Sequence, residues 1–275
     1  MEFVPSSAGT AGGTARAQDT GAGPRPEDLE RVAANFRQYL LGWGEAERGE
    51  GDLDHYRSGL AAATFNGVVR VRTLGAIEQA VKTARVRLAG VPWLWWAGPD
   101  SPNGTAEALV AHGGVSLAAM PLMMRRLDNL PGQGKPVPGL HIETVKEPGR
   151  LRELVEVYCK SMGLAPGIES DLARIEAQRA DNADIVRLAA VLDGQVVGTT
   201  TVINAHGISG IFIVHVAETH RRRGVGWALS AAALRIGRER GADFAALIAS
   251  PAGEPMYRRI GFTAVSRYRL FSMST

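Results

Sequence analysis

The chain has 275 residues, 45% of them hydrophobic, and a formal net charge of +3 at neutral pH. This composition predicts a globular protein of one large or two modest domains, and the small charge argues against general nucleic-acid binding. No apolar run approaches the roughly 18 residues of a membrane-spanning helix, and no signal-peptide pattern opens the chain, so we expect a cytoplasmic protein without a membrane partner. A single cysteine and scattered histidines predict neither a disulfide nor a metal site.

The first 25 residues consist mainly of Gly, Ala, Ser, Thr and Pro, and they predict a disordered tail because they offer few large apolar groups to bury. A helical pattern then begins at Pro26, behind which two acidic residues follow in the first turn. Apolar residues recur there at helical spacing: Leu29, Val32, Phe36, Tyr39 and Leu40.

Residues 26–128 are predicted to form an N-terminal α/β domain. Its elements, in chain order after the first helix, are a strand "NGVVRVRTL", a helix "AIEQAVKTARVRLAG", a strand "PWLWWAG", a helix "TAEALVAHGG" and a strand "SLAAMPLMMRRL". The next segment, 129–138, is dense in Gly and Pro and is predicted to be a linker.

Residues 139–275 are predicted to form a second domain in which strands and helices again alternate. The helices "EPGRLRELVEVYCKSMG" and "ESDLARIEAQRA" precede the strands "VRLAAVLD", "QVVGTTTVINA" and "ISGIFIVHV"; a helix from about Arg223 to Arg240, a strand "DFAALIAS", a helix around "PMYRRI" and a strand "FTAVSRYRLFSM" follow. The order predicts a mixed sheet flanked by helices, an α/β or α+β architecture.

The segment "HRRRGVG" lies between an apolar strand and a long helix. Backbone N–H groups at a helix start have no partner within the helix, and together with the helix dipole they attract anions. Gly224 and Gly226 lack a Cβ, which lets a phosphate approach the backbone, and the arginines add charge-assisted hydrogen bonds. The segment therefore predicts a pyrophosphate site, and the alternative is a basic solvated turn.

A second motif, "SPAGEPMYRRIGF", follows the next apolar strand. Together the two segments resemble the GCN5-related N-acetyltransferase (GNAT) superfamily, whose pattern Arg/Gln-x-x-Gly-x-Gly/Ala is matched by Arg221, Gly224 and Gly226. In the family's downstream pattern Tyr257, Gly261 and Phe262 agree, whereas Ser250 and Gly253 depart from it. The resemblance covers roughly residues 139–275 and implies the acyl-CoA N-acyltransferase fold.

The resemblance implies an acetyl-CoA-dependent N-acetyltransferase without a metal, in which the amine of a small molecule or protein attacks the thioester directly. It implies that the strand residues Val214, His215 and Val216 pair with the pantetheine arm and that Ser250 donates one hydrogen bond to it. The pyrophosphate would be held by the loop and the first helical turn: Arg221, Arg222, Arg223, Gly224, Val225, Gly226 and Trp227.

Tyr257 is the candidate general acid for the departing thiolate. The general base stays open among His215, Glu218 and Glu254, and His215 is also explained as a packing residue on a strand where side chains alternate. Cys159 has no sequence context that would activate a nucleophile.

The N-terminal region carries a weaker pattern. Its segment "ALVAHGGVSLAAMPLMMRRL" aligns with "PMYRRIGFTAVSRYRLFSM" so that Gly114 meets Gly261, which suggests a duplicated fold. Val110 falls where Tyr257 stands, and "VRVRTLGA" lacks the glycine pair, so this copy should have lost the coenzyme site and form a wall of the acceptor cleft. An unrelated α/β cap is the alternative, and three nearby tryptophans fit either: Trp93, Trp95 and Trp96.

Two further functions remain compatible with the same pattern. One is different acyl-CoA chemistry, such as O-acylation or decarboxylation, and the other is a non-catalytic acyl-CoA sensor. A monomer and a homodimer are equally compatible with the sequence.

Overall fold

The computed structural model describes residues 25–44, 47–132 and 134–273. The predicted tail lies outside these ranges except for Arg25, which caps the first helix by pairing with Asp28. Seven helices are described: α1 (Pro26–Leu41), α2 (Ile77–Arg87), α3 (Thr105–Ala111), α4 (Pro148–Met162), α5 (Glu169–Gln178), α6 (Val225–Glu239) and α7 (Glu254–Ile260).

The described strands form one mixed sheet of eleven strands. They are β1 (Glu47–Gly49), β2 (Leu53–Arg57), β3 (Asn66–Val71), β4 (Leu94–Ala97), β5 (Gly114–Arg126), β6 (His141–Thr144), β7 (Ile185–Leu192), β8 (Gln195–Ala205), β9 (Ile208–Val216), β10 (Phe244–Ile248) and β11 (Thr263–Met273). All predicted helices and strands are present. The sequence did not predict β1, β2 or β6, of which β1 and β6 are the two short edge strands.

The two halves of the chain exchange strands at the centre of the sheet. The strand order is β1-β2-β3-β4-β11-β5-β10-β9-β8-β7-β6. Thus β5, from the first half, lies between β11 and β10 of the second half, while β11 lies between β4 and β5. The division into two domains at residues 129–138 stays a prediction. Strands from the two sides of this segment are hydrogen-bonded to each other in one sheet.

The sequence of elements β3-α2-β4-α3-β5 recurs as β9-α6-β10-α7-β11. In both halves the first pair of strands is parallel, and the last strand crosses to the other half. Following the hydrogen-bonded order, β3 runs antiparallel to β9. The carboxyl ends of β3 and β9 therefore face opposite ends of the sheet.

Three hydrophobic cores cover the two faces of the sheet. The largest packs α1, α4 and α5 against strands of both halves, with Phe36 and Trp96 in edge-to-face contact. A second core lies beneath α6 and α7, and a third beneath α2 and α3. All three tryptophans of the "PWLWW" segment are buried in the first and third cores, where a fully buried large side chain contributes roughly 1.5–3 kcal/mol.

No helix within the described ranges is both long enough and apolar enough to cross a membrane. The same ranges contain no cluster of three or more His, Cys, Asp or Glu side chains placed to hold a metal ion.

Candidate active site

The candidate site lies where β9 and β10 separate. These parallel strands pair only through Ile208–Gly210 and Phe244–Ala246. Beyond Gly210, β9 keeps its antiparallel pairing with β8 as far as Val216, but its other edge pairs with no strand among the described residues. A free strand edge offers main-chain hydrogen bonds to an extended ligand.

A β-bulge changes the direction of β9 inside this open region. Pairing with β8 shifts between Phe212 and His215, and Ile213 has a φ of +52°, which is rare for a β-branched residue. The Thr200 hydroxyl donates to the Phe212 carbonyl at 3.1 Å and fixes the bulge. Strain of this kind is concentrated at functional sites in proteins.

Side chains of β9 alternate beyond the bulge. Val214 and Val216 pack against the core beneath α6, whereas His215 contacts α4 on the other face of the sheet. The alternation expected from the sequence is therefore present, and it directs His215 away from the core beneath α6.

The loop between β9 and α6 leaves backbone donors unpaired. Arg222 and Gly224 have φ values of +62° and +93°, and Gly224 is the N-cap of α6. The first helical hydrogen bond runs from the Ala228 amide to the Gly224 carbonyl. Within the described ranges, the amides of Val225, Gly226 and Trp227 donate to no protein acceptor, so this helix terminus is suited to an anion.

The two glycines of the loop lie against different segments of the chain. A Cβ on Gly224 would stand 3.1 Å from Val137 Cγ2, so the linker lies against this position. A Cβ on Gly226 would stand 3.4 Å from Met256 Sδ of α7. Gly224 is therefore required for its positive φ and for the approach of the linker, a reason that the sequence did not indicate.

The three arginines of the loop differ in their contacts. Arg221 donates from Nε to the Val216 carbonyl at 3.2 Å and from Nη2 to Ser161 Oγ at 3.3 Å. Arg222 and Arg223 are exposed, and neither side chain has an ion pair or hydrogen bond with any described residue. Two guanidinium groups beside the start of α6 are therefore available to an anionic ligand.

Trp227, in the first turn of α6, also meets the linker. A Cβ on Gly134 would lie 2.2 Å from Trp227 Cδ1, which shows how closely the linker backbone approaches the ring. Arg259 of α7 lies over the same ring at 5.9 Å. The linker is thus a structural neighbour of the candidate anion site.

Tyr257 of α7 is buried between α6 and the sheet. Its ring packs edge-to-face on Phe262, and its hydroxyl lies near Ser230 of α6, whose own hydroxyl donates to the Gly226 carbonyl. Burial raises the pKa of the Tyr257 hydroxyl to about 12, and the nearby Ser230 hydroxyl offsets part of that rise. The group is therefore a protonated donor at neutral pH.

Other residues singled out from the sequence lie near the site with simpler roles. Ser250 Oγ accepts a hydrogen bond from the Gly253 amide at 3.2 Å, and Glu254 pairs with Arg258 within α7. Glu218 is exposed in a 3-10 turn. Burial raises the pKa of the Cys159 thiol to about 12, so it carries no thiolate at neutral pH.

A hydrogen-bonded group that the sequence did not predict joins α4 to β9. Ser161 Oγ, in the last turn of α4, lies 2.9 Å from His215 Nδ1 and accepts from Arg221. Burial, and secondarily the charge of Arg221, lower the pKa of His215 to about 4. A serine in "YCKSMG" has no sequence context that marks it, because only the crossing of α4 over β9 creates the contact.

The corresponding region of the first half differs. β3 and β4 pair at only two positions, so the separation of parallel strands is retained there. The turn after β3 contains a 3-10 segment, Leu74–Ala76, without a glycine pair, and Val110 is exposed where the alignment places Tyr257. The backbone of the second half is thus repeated without its candidate anion site.

The sequence model of the acetyltransferase (GNAT) family matches residues 151–262. Residues 151–262 therefore match the GNAT family, as the resemblance predicted. No curated protein matches the chain.

Solved structures resemble the chain over most of its length. A GCN5-related N-acetyltransferase from Kribbella flavida is 18% identical, covers 90% of this chain and 96% of its own, and superposes with a TM-score of 0.69. A GCN5-related N-acetyltransferase from Sphaerobacter thermophilus is also 18% identical. The match covers 91% of this chain and 93% of that chain, with a TM-score of 0.62. At 18% sequence identity, these matches show that the fold is similar.

A third structure bears on the duplication. A tandem GNAT protein from the clavulanic acid biosynthesis pathway is 14% identical, with 91% of this chain and 97% of that chain covered and a TM-score of 0.53. Together with the repeated order of elements, this match confirms that the acyltransferase fold is duplicated here.

Proposed function

We propose that the protein is an acetyl-CoA-dependent N-acetyltransferase whose single active site lies in the second half. The observation that carries the proposal is the free edge of β9 beside the open N-terminus of α6. An extended arm can pair with the former while its attached pyrophosphate meets the latter.

The donor contacts follow from this placement. The backbone of Val214–Val216 would pair with the pantetheine amides, and the amides from Val225 to Trp227 would bind the pyrophosphate. Arg221, Arg222 and Arg223 add positive charge beside it, while Ser250, near the start of α7, offers a hydroxyl to the arm. These contacts support acetyl-CoA as the donor substrate.

The chemistry is direct attack of an amine on the thioester carbonyl. Backbone amides of β9 near the bulge would stabilise the negative oxygen of the tetrahedral intermediate. Tyr257 would give its proton to the departing thiolate, because it is protonated at neutral pH and a short hydrogen bond in a buried site would offset the weaker acidity that its raised pKa brings.

The test is a panel of small-molecule and peptide amines assayed with acetyl-, succinyl- and malonyl-CoA by release of free thiol. We expect release that requires both an amine and acetyl-CoA, with an N-acetyl product identified by mass spectrometry. An O-acyl product, or loss of CO₂ without transfer, would replace the proposal with other acyl-CoA chemistry. Saturable acetyl-CoA binding without turnover on any acceptor would indicate a sensor.

A further inference from the structure

We propose that Ser161 and His215 form a proton relay for the acceptor amine, in which Ser161 Oγ takes the ammonium proton while its own proton passes to His215 Nδ1. The inference rests on the proposed function and supplies the general base for it. Its basis is the 2.9 Å contact between Ser161 Oγ and His215 Nδ1, on the strand whose edge is free.

The direction of each hydrogen bond follows from the groups involved. A guanidinium can only donate, so Ser161 Oγ accepts from Arg221 Nη2. The one hydrogen of the serine hydroxyl can then be donated to His215 Nδ1, and the relay requires this nitrogen to be the unprotonated one of a neutral ring. One lone pair of Oγ stays available to accept an N–H from the substrate.

The surroundings keep the imidazole neutral. Ser161 reaches the ring from α4, Thr199 lies opposite it on β8, and Arg221 approaches from the loop after β9. Arg221 is the charged group that acts on the ring within the described ranges, and with burial it holds the pKa of His215 at about 4. The ring is therefore neutral at neutral pH, and with a pKa of about 4 it is a weak base before the donor binds.

Donor binding would strengthen the base. Phosphates bound beside Arg221 offset its positive charge, and a weaker repulsion raises the pKa of His215. The imidazole would thus become a better proton acceptor when acetyl-CoA is in place. This links the loop that binds the donor to the group that activates the acceptor.

The protons balance across the reaction. A nitrogen–carbon bond forms, the carbon–sulfur bond breaks, and the ammonium loses two protons in becoming an amide. One proton passes through Ser161 to His215 and then to solvent. The other replaces the proton that Tyr257 gives to the thiolate, so Tyr257 ends as it began.

The kinetic test compares Ser161→Ala with Ser161→Thr, which keeps a hydroxyl. We expect Ser161→Ala to lower kcat about 10²-fold or more with little change in KM for acetyl-CoA, and Ser161→Thr to recover part of that loss. The double variant Ser161→Ala/His215→Asn should be no slower than the worse single variant, because both side chains act in one step. Ser170→Ala, at an exposed site on α5, is the matched control and should be unchanged.

A spectroscopic arm needs no acceptor substrate. Nitrogen-15 NMR of the protein at pH 7 should show His215 with Nδ1 unprotonated, and CoA should raise the pKa of this ring in wild type. A proton on Nδ1 would overturn the relay, as would an acetyl group found on Ser161 after incubation with acetyl-CoA. Normal turnover in Ser161→Ala would overturn the relay alone, whereas a wild-type protein that never releases thiol would overturn the proposed function as well.

Discussion

Tyr257 is the residue to which the proposed mechanism assigns the most specific chemical role. The family pattern selected it, and the structure shows a buried hydroxyl that keeps its proton at neutral pH. Tyr257→Phe should lower kcat about 10²- to 10⁴-fold and leave acetyl-CoA affinity nearly unchanged. Steady-state kinetics with calorimetry would check this, and full turnover in a folded variant would remove Tyr257 from the mechanism.

His215 should make the stability of the folded protein depend on pH. Its pKa is about 4 in the folded protein, against roughly 6.5 for an unperturbed histidine. Between these values the unfolded chain binds more protons, so stability from this residue is present above about pH 6.5 and is lost as pH falls through about 4. The difference in Tm between wild type and His215→Asn should therefore vary with pH in this window, and parallel curves would contradict the assignment.

The sequence predicts individual site residues that belong to a linear motif, such as Gly224. It does not predict residues whose role depends on a contact between distant segments of the chain. Ser161 and Arg221 are distant in the chain, and their hydrogen bond exists only because α4 packs over the end of β9. Gly134 and Val137 likewise belong to a segment predicted as a linker, yet they contact the first turn of α6.

The N-terminus of α6 is the element on which donor binding depends. Gly224→Ala places a Cβ on a residue with φ of +93°, which costs about 1 kcal/mol, and brings it 3.1 Å from Val137. We expect acetyl-CoA affinity to fall at least about tenfold, or 1.4 kcal/mol, by calorimetry.

The matched control for this variant is Gly104→Ala. Gly104 is also the N-cap of a helix, α3, with φ of +86° and a Cβ position 3.2 Å from Leu74 Cδ2. It should lose similar stability and bind acetyl-CoA as wild type does. Equal affinities in the two variants would show that the start of α6 does not hold the donor.

The strands that the sequence predicts are those with continuous apolar runs, such as β9 and β10. β2 has no such run, because one of its buried residues is charged. Asp54 Oδ2 accepts a hydrogen bond from Arg70 Nε of the neighbouring strand β3 at 2.6 Å. β1 and β6 are three and four residues long and stand at the sheet edges, where no strong pattern is needed.

Because β5 and β11 each pair with strands of the other half, we expect the two halves to fold as one unit. The alignment of the two halves indicates the repeat. The register between β5 and β11 cannot be predicted from either segment alone, because the two strands are distant in the chain. Residues 139–275 expressed alone would leave β10 and β11 without β5 between them, with unpaired edges. We expect this fragment to aggregate or remain partly unfolded by size-exclusion chromatography and circular dichroism.

The control for the fragment is the whole chain cut by a protease at a site introduced in the linker. Its halves should remain associated, since the central strand pairs are intact. A fragment 139–275 that is monomeric and unfolds cooperatively would show that the exchanged strand is dispensable.

We expect the duplicated acyltransferase fold to keep one donor site, at the start of α6. Calorimetric titration of the wild-type protein with acetyl-CoA tests it most directly, because the stoichiometry counts the sites. We expect one acetyl-CoA per chain, since the turn after β3 lacks the glycine pair. Two sites per chain would contradict the loss of the site in the first half, and no saturable binding would contradict the assignment of acetyl-CoA as donor.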